Sequence, residues 1–257
     1  MKRIFVAGFL FGLCCQSLAT ASPISNSNYT QRFYLGAGAG DMFFRVGNNN
    51  YLSTGLGWPN DYYSANSISN QGYGFLAAGF AWERDSELLP IYSLGLRYMY
   101  VRNTSTSGYV EQYSMPEFKN YTYSYDTQIL SLLAIAKANI VRWNWFMPYV
   151  LAGAGIATFG TSNYEEQPLG GVTPRVSPGF GDGSGNNFAY QVGVGFDIAL
   201  LENLLINLEY DYINFGTIST GTGADYPTLT GTNYDNESLK NKIDATTLFV
   251  GLTYFVD

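Results

Sequence analysis

Along most of the chain, apolar side chains return at every second position. In residues 188–200, Phe188, Tyr190, Val192, Val194, Phe196, Ile198 and Leu200 form one face. Ala189, Gln191, Gly193, Gly195, Asp197 and Ala199 form the other. Residues 204–213 repeat the pattern, with Leu204, Ile206, Leu208, Tyr210 and Tyr212 alternating with Asn207, Glu209 and Asp211. In residues 91–101, Tyr92, Leu94, Leu96, Tyr98 and Tyr100 oppose Ser93, Gly95, Arg97 and Met99. A period of two is that of a β-strand with one apolar face and one small or polar face.

Less regular segments at 32–44, 73–84, 123–140, 148–159 and 244–256 bring the predicted strands to eight. In 123–140 either phase fits; placing Leu130, Leu132, Ala134 and Ala136 on the apolar side turns Lys137 and Asn139 the other way. Short links at 85–90, 142–147 and 201–203 alternate with long ones at 45–72, 102–122, 160–187 and 216–242. The long links are rich in Gly, Asn, Ser, Thr and Tyr, as exposed loops are. At roughly 20 to 30 residues each they are out of place in an ordinary compact domain, and they suit a barrel with short turns on one side of a membrane and long loops on the other.

The first residues read as a cleaved secretory signal. Lys2 and Arg3 lead, residues 4–13 are an apolar core, and Ala19-Thr20-Ala21 offers a small-x-small cleavage site. The predicted organisation is therefore a signal over 1–21 and one barrel domain over 22–257. A membrane anchor would need about 20 apolar residues, and Gln16 and Ser17 end the run too early. A lipoprotein signal would want a small residue before Cys14 or Cys15, where Leu13 and Cys14 stand. Both cysteines leave with the signal, so the mature chain is expected to lack thiols and disulfides. Its net charge moves from −7 to −9 as Lys2 and Arg3 are removed.

Composition agrees. Aromatic residues reach 17% while charged residues are only 13%, and mean hydropathy is −0.04. A helical membrane protein is more apolar, and a soluble one more charged. Strands with a lipid-facing side must pair every backbone N–H and C=O, so the sheet has to close on itself. The expected fold is all-β: an eight-stranded antiparallel transmembrane β-barrel, with Tyr98, Tyr100, Tyr210 and Tyr212 in an interfacial girdle. A soluble lipocalin-like or sandwich protein would turn its apolar face inward. Here the other face reads as Gly, Ala and charge, a poor core.

Residues 33–40 (FYLGAGAG), 148–155 (PYVLAGAG), 208–212 (LEYDY) and 249–254 (FVGLTY) resemble, in order and spacing, the small outer-membrane β-barrels of Gram-negative bacteria: OmpA-like transmembrane barrels and opacity-type surface proteins. The resemblance covers the mature chain and implies a location in the cell outer membrane. It also implies an assembly signal in the last strand, read by the barrel-assembly machinery. Gly251 and Tyr254 fit that signal, but Val256 stands where the family usually has a terminal aromatic residue.

Candidate chemistry is sparse. No histidine is present, which removes the commonest general base and the histidine-dependent nucleophile systems. The outer-membrane barrel enzymes, lipid A deacylases, palmitoyltransferases and omptin proteases, rely on a histidine in their families' catalytic sets. Gly36, Gly38 and Gly40, like Gly153 and Gly155 or Gly193 and Gly195, are spaced by two and lack the three-residue step of a dinucleotide fingerprint. They are expected to keep the lumen face small. Glu83, Arg97, Lys137, Asp197, Glu209 and Asp211 are expected to form a lumen ion-pair network, because charges in a narrow interior are costly unless paired. A glycosidase-like carboxylate pair at Glu209 and Asp211 is set aside, since Arg97 and Lys137 answer those charges.

The loops alone meet the outside. Tyr51, Trp58, Tyr62, Tyr63, Tyr109, Tyr113, Tyr164, Phe180, Tyr226 and Tyr234 are the expected recognition surface, in a Tyr/Asn/Ser/Gly setting suited to protein contact. Alternatively, such tyrosines prop the loops or sit among lipopolysaccharide sugars. The acidic balance argues against nucleic acid and heparin-type partners. No cofactor, metal or catalytic residue is expected. The reading is a surface protein supporting envelope integrity and adhering to host or matrix proteins through its loops, with outer-membrane lipid and lipopolysaccharide as surroundings. A narrow pore or small-solute channel, and less readily a lipid-modifying enzyme, are the alternatives.

Overall fold

The computed structural model describes residues 29–47, 49–53, 59–175, 177–223 and 237–256. Residues 1–21, expected to be a signal, lie outside these, as do Trp58, Tyr226 and Tyr234. The described residues form one antiparallel sheet of 10 strands. They are β1 (Thr30–Gly47), β2 (Asn49–Leu52), β3 (Asp61–Ile68), β4 (Gln71–Glu83), β5 (Ile91–Glu111), β6 (Lys119–Asn139), β7 (Phe146–Pro168), β8 (Gly183–Leu201), β9 (Leu204–Ser219) and β10 (Lys240–Val256). Eight of them close a ring, in the order β1-β4-β5-β6-β7-β8-β9-β10 and back to β1. The closing pair runs from Phe33↔Val256 to Gly47↔Lys242. None of the described residues forms a helix long and apolar enough to cross a membrane; the crossing elements are strands.

Alternation sorts the side chains. Leu35, Leu76, Leu94, Leu96, Leu132, Val150, Ile156, Val192, Val194, Val250 and Leu252 point outward and are exposed. So many exposed aliphatics on one continuous belt need an apolar surround. Tyr98, Tyr100, Tyr190 and Tyr210 border the belt towards the long-loop end, and Tyr92, Trp143 and Trp145 towards the short-turn end. Leu130, Leu132, Ala134 and Ala136 face out, so Lys137 and Asn139 face in.

The strands run well past the belt, which corrects the predicted loops. The stretch 102–122 is mostly strand: β5 continues to Glu111, two 3-10 turns (Gln112–Ser114 and Pro116–Phe118) reverse the chain, and β6 begins at Lys119. β7 likewise reaches Pro168, and β2 and β3 occupy part of the 45–72 link. Together β2, β3 and the upper parts of β5, β6 and β7 form a sheet that stands above the belt, with Tyr51↔Tyr62, Tyr62↔Glu111, Val110↔Tyr121 and Tyr121↔Pro168 in register. Outside the bilayer both faces of a strand can carry polar residues, so hydrophobic alternation fades while the ladder persists. Register shifts near the belt's upper edge, at Val101/Thr104 and Ile243/Asp244, mark the change. At the second, Gly216 adopts φ +82, a left-handed value that favours glycine.

The interior also differs from the expected Gly, Ala and charge. Large side chains fill it above and below a polar band. Met42, Tyr73, Phe75, Met99, Ile129, Leu133, Phe215 and Phe249 belong to one buried cluster, which continues into Tyr63, Tyr123 and Tyr125 of the upper sheet. Tyr34, Ile91, Met147, Leu205 and Phe255 form a second at the short-turn end. These residues are every other residue in their strands, but Tyr, Phe and Met on both phases conceal which phase is internal. The spaced glycines supply room. A Cβ on Gly193 would collide with the Asp211 carboxylate, and one on Gly195 would lie 2.6 Å from the Tyr149 ring.

Candidate functional site

The polar band sits between the two apolar clusters and has two centres. In the first, Arg97 on β5 reaches across the lumen to Glu209 on β9. One guanidinium nitrogen donates to Oε1, and the second donates to Oε2 at 3.2 Å. Asp211 lies 3.8 Å from Arg97 and accepts from Gln191 at 2.7 Å and Thr247 at 3.3 Å. The Tyr149 hydroxyl donates to Glu209 at 2.8 Å. The rings of Phe75 and Phe249 flank the guanidinium at 4.8 and 5.2 Å, so its flat faces meet π-electron density rather than water.

The second centre is nearer the short turns. Asp197 on β8 accepts from Lys137 at 2.7 Å, Asn139 at 2.8 Å and Asn207 at 2.6 Å. Thr253 extends it by donating to Asn207 at 2.8 Å. Lys137 also lies 3.8 Å from the Tyr149 ring, so Tyr149 touches both centres. Sequence reasoning missed Tyr149, which carries no charge and stands unmarked within residues 148–155. Gln191 and Asn207 were visible on the small or polar face, but amides carry no charge to advertise a pairing.

Glu83 is not part of this network. It sits at the short-turn rim, 2.8 Å from Arg142 and 3.6 Å from Arg32. The rim is where β4 ends, so an inward phase there leads to the mouth and not into the lumen.

The long-loop end is covered by residues 169–175 and 177–182. Arg175 binds Asp61 of β3 at 2.6 Å and Glu166 of β7 at 2.7 Å, and donates to the Tyr63 hydroxyl at 3.1 Å. Tyr121 donates to the Thr173 carbonyl at 2.9 Å. Phe180 packs edge-on against Tyr63 and Tyr164 at 6.0 and 5.0 Å. Several expected recognition residues are therefore interior: Tyr63 and Phe180 are buried and Tyr164 is half-buried. They fill the concave side of the upper sheet, whose aromatic side chains need cover as any core does. On its convex side Tyr51 is 61% exposed and lies 5.0 Å from Tyr62. Tyr109 holds Lys119 over its ring at 3.3 Å, and Tyr113 meets Phe118 edge-on at 5.8 Å. Nothing in the sequence singles out Arg175, because its loop has no period.

In β10, Tyr254 and Val256 point outward, Gly251 faces the lumen, and Phe255 packs inward with Arg32 at 4.9 Å from its ring.

Within the polar band one cavity of about 50 Å³ is lined by Arg97, Lys137, Asp197, Asn207 and Glu209, between Phe255 and Phe249. That is room for a few waters and not for a continuous path. Planar-bilayer recordings of the refolded barrel are expected to show no sustained nanosiemens-scale openings, as befits eight strands. A stable open level that disappears in Arg97→Met would refute this.

A family model described as the outer membrane protein beta-barrel domain matches residues 7–255. The chain is 34% identical over 110 residues to outer membrane protein PagN of Salmonella typhimurium; the match covers 42% of each protein, so it spans about two fifths of that relative's length. Among solved structures it is similar to Neisserial surface protein A, at 15% identity and TM-score 0.47, over 87% of this chain and 97% of that one. It is also similar to Ail, the attachment invasion locus protein of Yersinia pestis, solved with the heparin analogue sucrose octasulfate, at 14% identity and TM-score 0.36, over 88% and 99%.

Proposed function

The chain belongs to the outer membrane protein β-barrel domain family and is an outer-membrane protein of the Gram-negative type, and from that premise we propose that it is a non-enzymatic surface protein adhering to host or matrix proteins through its extracellular sheet. The observation that carries the reading is the sheet standing above the apolar belt. Its convex side offers Tyr51, Tyr62 and Tyr109 among Asn49, Ser64, Ser107 and Thr122. Rigid tyrosines among small polar residues make adaptable protein contacts at low entropic cost, and a paired sheet holds them in fixed positions as a free loop would not. The barrel beneath, packed from end to end, serves as the anchor and contributes to envelope integrity.

The test is adhesion by cells of a non-adherent host strain producing the protein. A Tyr51→Ser/Tyr62→Ser/Tyr109→Ser variant is expected to lose roughly tenfold of the binding to cultured cells or immobilised matrix proteins, as removal of aromatic anchors does. Its heat-dependent gel mobility, a sign of a folded barrel, should be unchanged. Undiminished adhesion by the triple variant overturns the reading.

A further inference from the structure

On the lipid-facing side of β1 and β10, three cations stand in a column directly above the apolar belt. Arg45 pairs across the strands with Asp244, and Gly47 with Lys242; Lys240 comes next along β10. All three face outward and are exposed, Arg45 with 64% of its side chain open. The Asp244 carboxylate is occupied by Arg45, which donates to it from two nitrogens at 2.8 and 2.6 Å. Lys242 and Lys240 form no ion pair among the described residues. Their neighbours across the ladders are Gly47, Thr217 and Ser219, and a Cβ on Gly47 would meet nothing within 4 Å. The floor between the cations is therefore low and open.

Below the column the belt has a trough. Ala37 and Ala39 face out from β1, paired with Leu252 and Val250 on one side and with Leu76 and Gly74 on the other. Leu76, Val250 and Leu252 are among the more exposed aliphatics of the protein, and they wall a strip of methyl groups. Asp41 and Phe43 continue the same face between trough and cations; Asp41 is the exposed carboxylate on the path and marks where the trough leaves the hydrocarbon. Tyr212 supports the column from β9, with its ring 5.6 Å from the Arg45 guanidinium.

We infer that Arg45, Lys242 and Lys240 form a docking site for the phosphate groups of an outer-leaflet glycolipid whose acyl chains lie along Ala37 and Ala39. The chain as a whole carries a charge of −7, so a cationic column at this depth runs against its general balance and complements an anionic headgroup. Most of the other described cations are engaged elsewhere: Arg97 and Lys137 in the lumen, Arg32 and Arg142 at the short-turn rim, Arg175 in the extracellular cap. The phosphomonoester is the chemistry recognised, and the trough selects a lipid over free phosphate. The upper end of the column adjoins β2, where the Lys240 amide donates to Asn50 at 2.8 Å, but recognition of a phosphate by these cations does not depend on the adhesion reading.

The full chain, refolded in zwitterionic detergent, can be mixed with bisphosphorylated lipid A and passed over a sizing column. The native protein is expected to retain the lipid. Lys240→Gln/Lys242→Gln is expected to retain roughly tenfold to thirtyfold less, in line with what a surface cation contributes towards an anionic lipid. Arg84→Gln/Lys119→Gln, which removes cations at the two far ends, should retain as much as the native protein. Dephosphorylated lipid A should be retained poorly by all three. Equal retention by native and Lys240→Gln/Lys242→Gln proteins, or equal retention of both lipids, overturns the proposal. So does displacement of the lipid by millimolar inorganic phosphate, which would mean that the headgroup is held without the trough. Unchanged gel mobility on heating verifies that each variant is folded.

Discussion

Arg97→Met is expected to destabilise the barrel by about 3–5 kcal/mol, because it leaves Glu209 and Asp211 buried in a narrow lumen without their cation. Tyr149 and Gln191 would remain as donors, but neutral donors do not replace a charge. Urea titration in lipid vesicles, followed by tryptophan fluorescence and by gel mobility, measures the change. Adding Glu209→Gln should recover part of the loss, since it removes one of the two carboxylates left without a cation while Asp211 keeps Gln191 and Thr247 as donors. A single variant as stable as the native protein would mean that water reaches the carboxylates and that the lumen is not dry.

The second large effect tests the position of the bilayer. Leu96 lies on the outward face of β5 inside the belt, and Ser105 lies outward on the same strand above it. Leu96→Arg is expected to cost about 2–4 kcal/mol, as an arginine on the lipid face near mid-depth does, and Ser105→Arg about 0–1 kcal/mol. The same urea titration reads both. Equal costs at the two positions would place Ser105 within the hydrocarbon and shift the belt upward by several residues.

Much of the barrel was legible because its outer face is a plain physical demand: lipid requires an apolar residue at every second position, and 188–200 and 204–213 satisfy it without interruption. The upper sheet was harder. Tyr121, Tyr123 and Tyr125 alternate with Thr122 and Ser124, a period of two in residues that also populate loops, and water does not force either face to declare itself. The same ambiguity hides the interior position of Tyr63 and Phe180. A tyrosine is amphipathic, and only the packing of residues 169–175 and 177–182 against the concave face decides its direction. In the lumen, charges announced Arg97, Lys137, Asp197, Glu209 and Asp211 as a group. Their separation into two centres depends on which rung each occupies, and rungs follow from inter-strand register, which one sequence does not display. Glu83 went astray for that reason: the alternation gives a direction, not a depth.

The pairing of β1 with β10, from Phe33↔Val256 upward, has a consequence in time. Every other ladder of the ring joins segments that are neighbours in the chain once the β2–β3 excursion is allowed for, and each can form as soon as its hairpin exists. The closing ladder joins residues more distant in sequence than any others in the barrel, and it pays the largest loop entropy. Until it forms, β1 and β10 are open edges with unpaired amides in a solvent that offers no hydrogen bonds. The last step of folding is thus the one that lipid opposes most while incomplete and protects most once finished. Loss of β10 should therefore strand a nearly complete sheet with two reactive edges, a species prone to join its own kind edge to edge.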